Sequence, residues 1–144
     1  MDDRPSVLFA CRANAGRSVA AKVLAERYAQ DHVTIASAGS TPSDDVHPEV
    51  RNVLASYGLD VAREIPKGFD PDGLYTAVVT MGCGEECPLY LGAVYEDWQV
   101  DDPKGQDEET VLAIVTDIDD RVRSLLRRML PDLLLPASVF CDAA

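Results

Sequence analysis

The chain has 144 residues, 47% hydrophobic and 26% charged, which suits one domain (1–144) with a sizeable core. Its formal charge of -12 argues against a nucleic-acid backbone or an anionic membrane surface as the main partner, and any anion pocket must then make its positive potential locally. No run of 18 apolar residues appears and no basic segment precedes an apolar stretch at the N-terminus, so a cytoplasmic protein without a secretory signal is expected.

Ser6 to Ala10 (SVLFA) predicts a buried strand, ending at Cys11. A helix is expected from Ser18, with Ala20, Val23, Leu24 and Tyr28 on one face and Lys22, Glu26 and Arg27 elsewhere. Val33 to Ser37 reads as a second strand closed by Ala38-Gly39, and Ser40 to Asp45 as a loop. Pro48 suits the first turn of a helix carrying Val50, Val53, Leu54 and Tyr57, with Gly58 at its end. His47 reads as a residue of that helix start, or as part of a pocket rim.

Residues 59–75 are mixed, a short strand or turn followed by a linking loop. Tyr75 to Met81 is an apolar strand, followed by a cysteine-rich turn from Gly82 to Pro88. Ala93 to Asp97 is a weaker strand, and Gln99 to Glu108 a loop around Asp102-Pro103. The last helix carries Val111, Ile114, Val115, Ile118, Val122, Leu125 and Met129 on one stripe. From 131 to 144 the tail has no clean period.

Short apolar strands alternating with helices predict an α/β fold, with a parallel sheet covered on both faces. Ligands of such sheets bind at the carboxyl ends of strands where strand order reverses. Cys11, the Cys83 turn and the Asp102 loop all follow predicted strands and are expected on one rim.

The four cysteines, Cys11, Cys83, Cys87 and Cys141, are too sparse for a secreted disulfide framework. In a reducing compartment they read as core thiols, metal ligands or catalytic groups. The first stands in Cys11-Arg12-Ala13-Asn14-Ala15-Gly16-Arg17-Ser18, a Cys-x5-Arg-Ser pattern between a strand and a helix. A loop of this length can turn its N–H groups, from Arg12 to Ser18, around a tetrahedral oxyanion. Gly16, Ala13 and Ala15 permit tight curvature. Arg17 can fork two hydrogen bonds onto the anion, and the same positive field favours the Cys11 thiolate. Ser18 is expected to cap the helix and bond the thiolate, and Asn14 to tie backbone groups across the loop.

This segment resembles the phosphate-binding loop of the low-molecular-weight protein tyrosine phosphatases and of the arsenate reductases that share their fold. SAGSTP (37–42), VHPEV (46–50), TMGC (80–83) and DDPKG (101–105) match further segments in order, over about residues 5–130. The resemblance implies a three-layer αβα fold with a central four-stranded parallel sheet. It implies Cys11 as nucleophile, Arg17 as oxyanion clamp and Asp102 as general acid. Pro103 restricts the backbone of Asp102 and can aim its side chain; Asp101 is the competing candidate.

Cys83 and Cys87 stand four apart, close enough to meet across one helical turn. Core packing and half of a metal site are the alternatives, but a zinc site would need two more ligands. The cluster is similar to the redox segment of the reductases, for which a phosphatase has no use. The resemblance then implies that Cys11 attacks arsenate, for which phosphate or sulfate would be analogues. Cys83 or an external thiol attacks the resulting adduct, and Cys87 carries the disulfide outward. Reducing equivalents would come from thioredoxin or from a low-molecular-weight thiol with a glutaredoxin-like protein. No tightly bound cofactor and no metal are expected, and a monomer is.

Phosphatases of this fold tend to carry tyrosines after the Asp-Pro pair, whereas Lys104, Gly105 and Gln106 stand here. A small inorganic oxyanion is thereby favoured over an aryl phosphate, with a phosphatase as the alternative and an oxyanion or redox sensor as a third reading. Some reductases of this family bind potassium through a carboxylate near the position of Lys22, so no potassium site is expected. Cys141 has no family counterpart and is expected to be a tail thiol without a role.

Overall fold

The first strand, β1 (Ser6–Cys11), is apolar at every position but Ser6 because it lies inside the sheet and is buried from Val7 onward. The structure is a computed structural model that describes residues 4–82, 87 and 89–140. Helix α1 (Arg17–Ala29) follows, then a single 3-10 turn (Gln30–His32), β2 (Thr34–Gly39), α2 (Pro48–Ser56), β3 (Ala77–Met81), β4 (Val94–Asp97) and α3 (Glu108–Met129).

The four strands run parallel in the order β2-β1-β3-β4. The chain builds outward from β1 on one side and then returns to its other side, so the crevice at the carboxyl ends of β1 and β3 is a topological switch point. Cys11 stands there, opposite Gly39 of β2 and Met81 of β3. Because side chains alternate along a strand, Cys11 shares the face of Val7 and Phe9.

That face is covered by the helices. Val19, Val23, Leu24, Val50, Leu54, Val115, Ile118 and Leu125 join Val7, Phe9 and Trp98 in one core, with the Phe9 and Trp98 rings 5.8 Å apart. Each such burial contributes about 1.5–3 kcal/mol relative to exposure. Helix α1 is buried on more than the expected face, Ala21, Ala25 and Ala29 included, because it is wedged between the sheet and α3. The stripe of α3 is buried as its periodicity predicts, and Asp107 caps the helix by accepting from Thr110 N at 2.9 Å.

The opposite face, Leu8, Ala38 and Val78, is covered among the described residues by aromatic side chains from loops: Phe69, Tyr75 and Tyr90. Tyr75 and Tyr90 meet edge to face at 5.0 Å. Within 59–75 only turns are formed, and β2 runs on through Ala38 and Gly39, which the sequence reads as its end.

The tail, despite its lack of period, is fastened. Asp119 is fully buried and accepts from the Tyr28 hydroxyl at 2.5 Å and from Ser138 Oγ at 2.6 Å. Val139 N donates to the Tyr28 hydroxyl at 3.0 Å, Arg123 donates to Pro136 O at 2.6 Å, and Phe140 packs edge-on against Tyr57 at 4.7 Å. Burial, reinforced by the Asp119 carboxylate, pushes the Tyr28 phenol above its ordinary range. These bonds supply the partners that a buried carboxylate requires. Cys141 lies outside the described residues. Among the described residues no helix is long and apolar enough to cross a membrane.

Candidate active site

The loop joining β1 to α1 is held from outside by its carbonyls. Cys11 O accepts from Ser40 N at 3.3 Å, Arg12 O from Thr41 N at 2.7 Å, Ala13 O from Ser43 N at 2.9 Å and Ala15 O from His47 N at 2.8 Å. In a trans peptide the N–H points opposite to the carbonyl that precedes it. The N–H groups of Arg12, Ala13, Asn14 and Gly16 therefore turn away from the 40–47 segment, toward the inside of the loop. The N-terminus of α1 adds its own unpaired N–H groups and positive dipole end. Close approach of β2 makes this possible: a Cβ on Gly39 would stand 2.6 Å from Arg12 O and 2.8 Å from Asn14 N.

Asn14 fixes the curvature from within. It is fully buried at φ +48°, in the left-handed region that asparagine tolerates better than most residues. Its Oδ1 accepts from Lys67 N at 3.0 Å, which leaves the amide nitrogen to donate to Ser18 Oγ at 2.8 Å. Ser18 Oγ lies 2.9 Å from Cys11 Sγ. Either atom can be the donor in this contact; once Cys11 is a thiolate it can only accept, and the Ser18 hydroxyl, already accepting from Asn14, then donates its proton to the sulfur. Cys11 is buried, 2% exposed, and free of disulfide. Ser18 does not cap α1, contrary to expectation: the helix begins at Arg17 with Gly16 as N-cap and no side-chain cap, because the hydroxyl is engaged with Asn14 and Cys11.

Arg17 Nη1 donates to Val100 O at 3.2 Å, which ties the guanidinium to the segment leading into Asp102. On its other side Gly82 leaves room: a Cβ there would stand 2.6 Å from Arg17 Nη1, and its φ is +86°. We expect Gly82→Ala to displace the guanidinium and to strain the backbone by about 1–2 kcal/mol. The inhibition constant of inorganic phosphate should rise about tenfold, with a lowered Tm; an unchanged constant would show that Gly82 does not seat Arg17.

Cys11, Arg12, Ala13, Gly16, Arg17, His47, Gly82, Asp102 and Lys104 line one cavity of ≈ 180 Å³. It is smaller than the roughly 300–1,000 Å³ of typical ligand pockets, so it suits a small anion. Asp102 lines it and Asp101 is not among the lining residues. Asp102 Oδ1 accepts from Lys104 N at 3.0 Å, which holds the carboxyl and leaves its other oxygen for the cavity. Pro103 and His47 approach over Gly16, where a Cβ would meet them at 3.1 and 3.2 Å. A larger cavity of ≈ 650 Å³ lies along α2, lined by residues such as Asp45, Arg51, Asp60 and Glu64. It holds none of the groups just described and contributes no chemistry to them.

Cys87 is half-buried and disulfide-bonded, with a partner outside the described residues. Cys83 also lies outside them. Among the described residues no three His, Cys, Asp or Glu side chains gather to hold a metal. Lys22, on the second turn of α1, is bonded to Glu26 at 2.8 Å and Glu64 at 2.9 Å. Burial works against its charge, but the two carboxylates prevail and hold the ammonium above its usual range.

Sequence reasoning missed two supports of the site. Lys67 acts through its backbone, donating to Asn14 and accepting from Gly39 N at 2.9 Å, and backbone roles leave no side-chain signal. Val100 O likewise holds Arg17. His47 is both the N-cap of α2 and a wall of the cavity.

The chain is similar to several known proteins. A Halobacterium salinarum protein named "Putative arsenate reductase" is 38% identical over 86% of this chain and 92% of its own length. A Synechocystis glutaredoxin arsenate reductase is 27% identical over 85% of this chain and 97% of its own. The structure of a Corynebacterium glutamicum thioredoxin-dependent arsenate reductase superposes with a TM-score of 0.78 at 36% identity over 90% of this chain, which spans only 64% of that protein. Residues 6–133 match the family described as low molecular weight phosphotyrosine protein phosphatase, with the Cys11 loop at the start of the matched segment and the Asp102 loop within it, and the chain belongs to that family.

Proposed function

We propose that this chain is an arsenate reductase that forms and discharges an arseno-cysteine at Cys11. The observation that carries the reading is the free, buried Cys11 at an inward-turned amide loop, in a chain whose Cys87 is already disulfide-bonded. The names borne by the relatives support it.

Arsenate enters the cavity as the substrate, held by the loop N–H groups and the Arg17 fork. The Cys11 thiolate attacks arsenic while Asp102 delivers a proton to the departing oxygen, which leaves as water. A second thiol, Cys83 in this reading, attacks the Cys11 sulfur. The sulfur–arsenic bond breaks, its electron pair stays on arsenic, and arsenite departs. Cys87 then attacks Cys83, frees the Cys11 thiol and leaves a Cys83–Cys87 disulfide for an external dithiol to reduce. A redoxin of the thioredoxin or glutaredoxin kind is the electron donor, and the site of action is the cytoplasm.

The phosphatase alternative shares Cys11, Arg17 and Asp102 but needs no second thiol. Lys104, Gly105 and Gln106 follow Pro103, so no aromatic platform stands at that point of the rim. The two readings separate in one assay, NADPH consumption through thioredoxin reductase and thioredoxin with arsenate, run beside hydrolysis of a phosphotyrosine peptide. The reductase reading expects sustained NADPH consumption and weak peptide hydrolysis; the reverse pattern would replace it.

A further inference from the structure

Two leucines beside Cys87 stand out in the solvent. Leu89 is 83% exposed and Leu91 is 96% exposed, whereas Tyr90 between them is 8% exposed. Tyr90 is fixed in place: its hydroxyl donates to Asp70 O at 2.7 Å, its N–H donates to the Tyr95 hydroxyl, and its ring packs on Tyr75. With Tyr90 anchored inward against Tyr75, the leucines on either side of it remain outside the packed face. The chain then turns, with Ala93 N donating to Tyr90 O at 3.4 Å and Gly92 at φ +85° as the third residue of the turn. Leu91 therefore sits at a turn corner, where proline and small polar residues are the usual occupants. The backbone beneath the patch is held by Tyr90 and the turn, so a partner would have mainly the two leucine side chains to order on binding.

We infer that Leu89 and Leu91 are the docking surface for the dithiol redoxin that reduces the Cys87 disulfide, an inference that rests on the reductase reading above. In that reduction a redoxin thiolate attacks one sulfur of the disulfide, forms a mixed disulfide and releases the other sulfur as a thiol. The redoxin's second thiol then attacks its own sulfur in the mixed disulfide. The products are oxidised redoxin and two chain thiols, with two electrons and two protons transferred.

Sulfur-to-sulfur attack dictates where the partner lies. Transient redox complexes bury under about 1,200 Å² in total, roughly 600 Å² a side, or a disc about 14 Å in radius. An extended chain advances at most about 3.6 Å per residue, which keeps the Cα of Leu89 within ~7 Å and that of Leu91 within ~14 Å of Cys87. A footprint of that size centred on this sulfur takes in Leu89 and extends to Leu91. A small thiol has no surface with which to use them.

The test pairs Leu89→Lys with Leu91→Lys in the full chain, with a milder Leu89→Ser and Leu91→Ser variant as a second probe. Three rates are read: disulfide reduction by thioredoxin across its concentration range, reduction by dithiothreitol, and arsenite formed in one turnover by the prereduced chain. Glutaredoxin replaces thioredoxin if it is the better reductant of the wild type. We expect the KM for redoxin to rise at least tenfold in the lysine variant and by less in the serine variant. The dithiothreitol rate should stay within twofold and the single-turnover yield should not change. An unchanged redoxin KM, or an equal loss with dithiothreitol, overturns the inference. A wild type that makes no arsenite, yet loses redoxin reduction on substitution, keeps the docking surface and removes the reductase reading.

Discussion

Cys11→Ser is expected to abolish arsenite formation, the first turnover included, by roughly 10⁴-fold or more. The substitution changes one atom at a buried position, and Ser18 Oγ at 2.9 Å can bond a hydroxyl as it bonds the sulfur. The loop carbonyls keep their partners on the 40–47 segment and Arg17 keeps Val100, so oxyanion binding should survive. A serine hydroxyl, however, is almost wholly protonated at neutral pH and cannot transfer a sulfur-bound electron pair to arsenic. The informative result is a split, with the dissociation constant for phosphate within threefold of wild type and no arsenite detected. Retained turnover would move the nucleophile elsewhere.

Arg17→Lys carries the next largest expected effect. The charge is kept, so a site that needs only a cation would lose less than tenfold. A site that needs two parallel donors at a fixed angle loses more, because lysine offers one compact ammonium on a flexible stem. Gly82 and Val100 O confine the guanidinium from two sides, which makes the second description the one expected here. The loss in kcat/KM for arsenate should be about 10²–10³, comparable to removal of one oxyanion-hole donor. Measuring kcat/KM beside phosphate inhibition separates the cases, since a loss below tenfold in both would mean that charge alone suffices.

Much of this arrangement is legible in the sequence where side-chain chemistry and periodicity carry it. Cys11 and Arg17 announce themselves by spacing between an apolar strand and a helix, and the stripe of α3 by its 3.6-residue period. Asp102 is distinguished from Asp101 only in the folded chain, where Asp102 alone of the two lines the cavity. The less legible parts are backbone or long-range events. Gly39 looks like a strand terminator, but β2 pairs through it to Cys11 because a side chain there would strike the loop. Ser18 looks like a cap, but tertiary bonds to Cys11 and Asn14 claim its hydroxyl. The tail shows no period because buried polar bonds from Asp119 and Tyr28, rather than an apolar stripe, fasten it. Ala21, Ala25 and Ala29 fall off the expected face of α1 because a helix packed on two sides has no solvent face there to mark them.

The three-thiol relay through Cys11, Cys83 and Cys87 is decided by the yield of arsenite per chain from fully reduced protein with arsenate and no external reductant. One arsenite per chain is expected, formed together with loss of two thiols to a disulfide that includes Cys87, and no further cycle until redoxin is added. The Cys87→Ser variant should stall after at most that first turnover even with redoxin present. No arsenite from the reduced wild type, or continued cycling by the Cys87→Ser variant with redoxin, would contradict it.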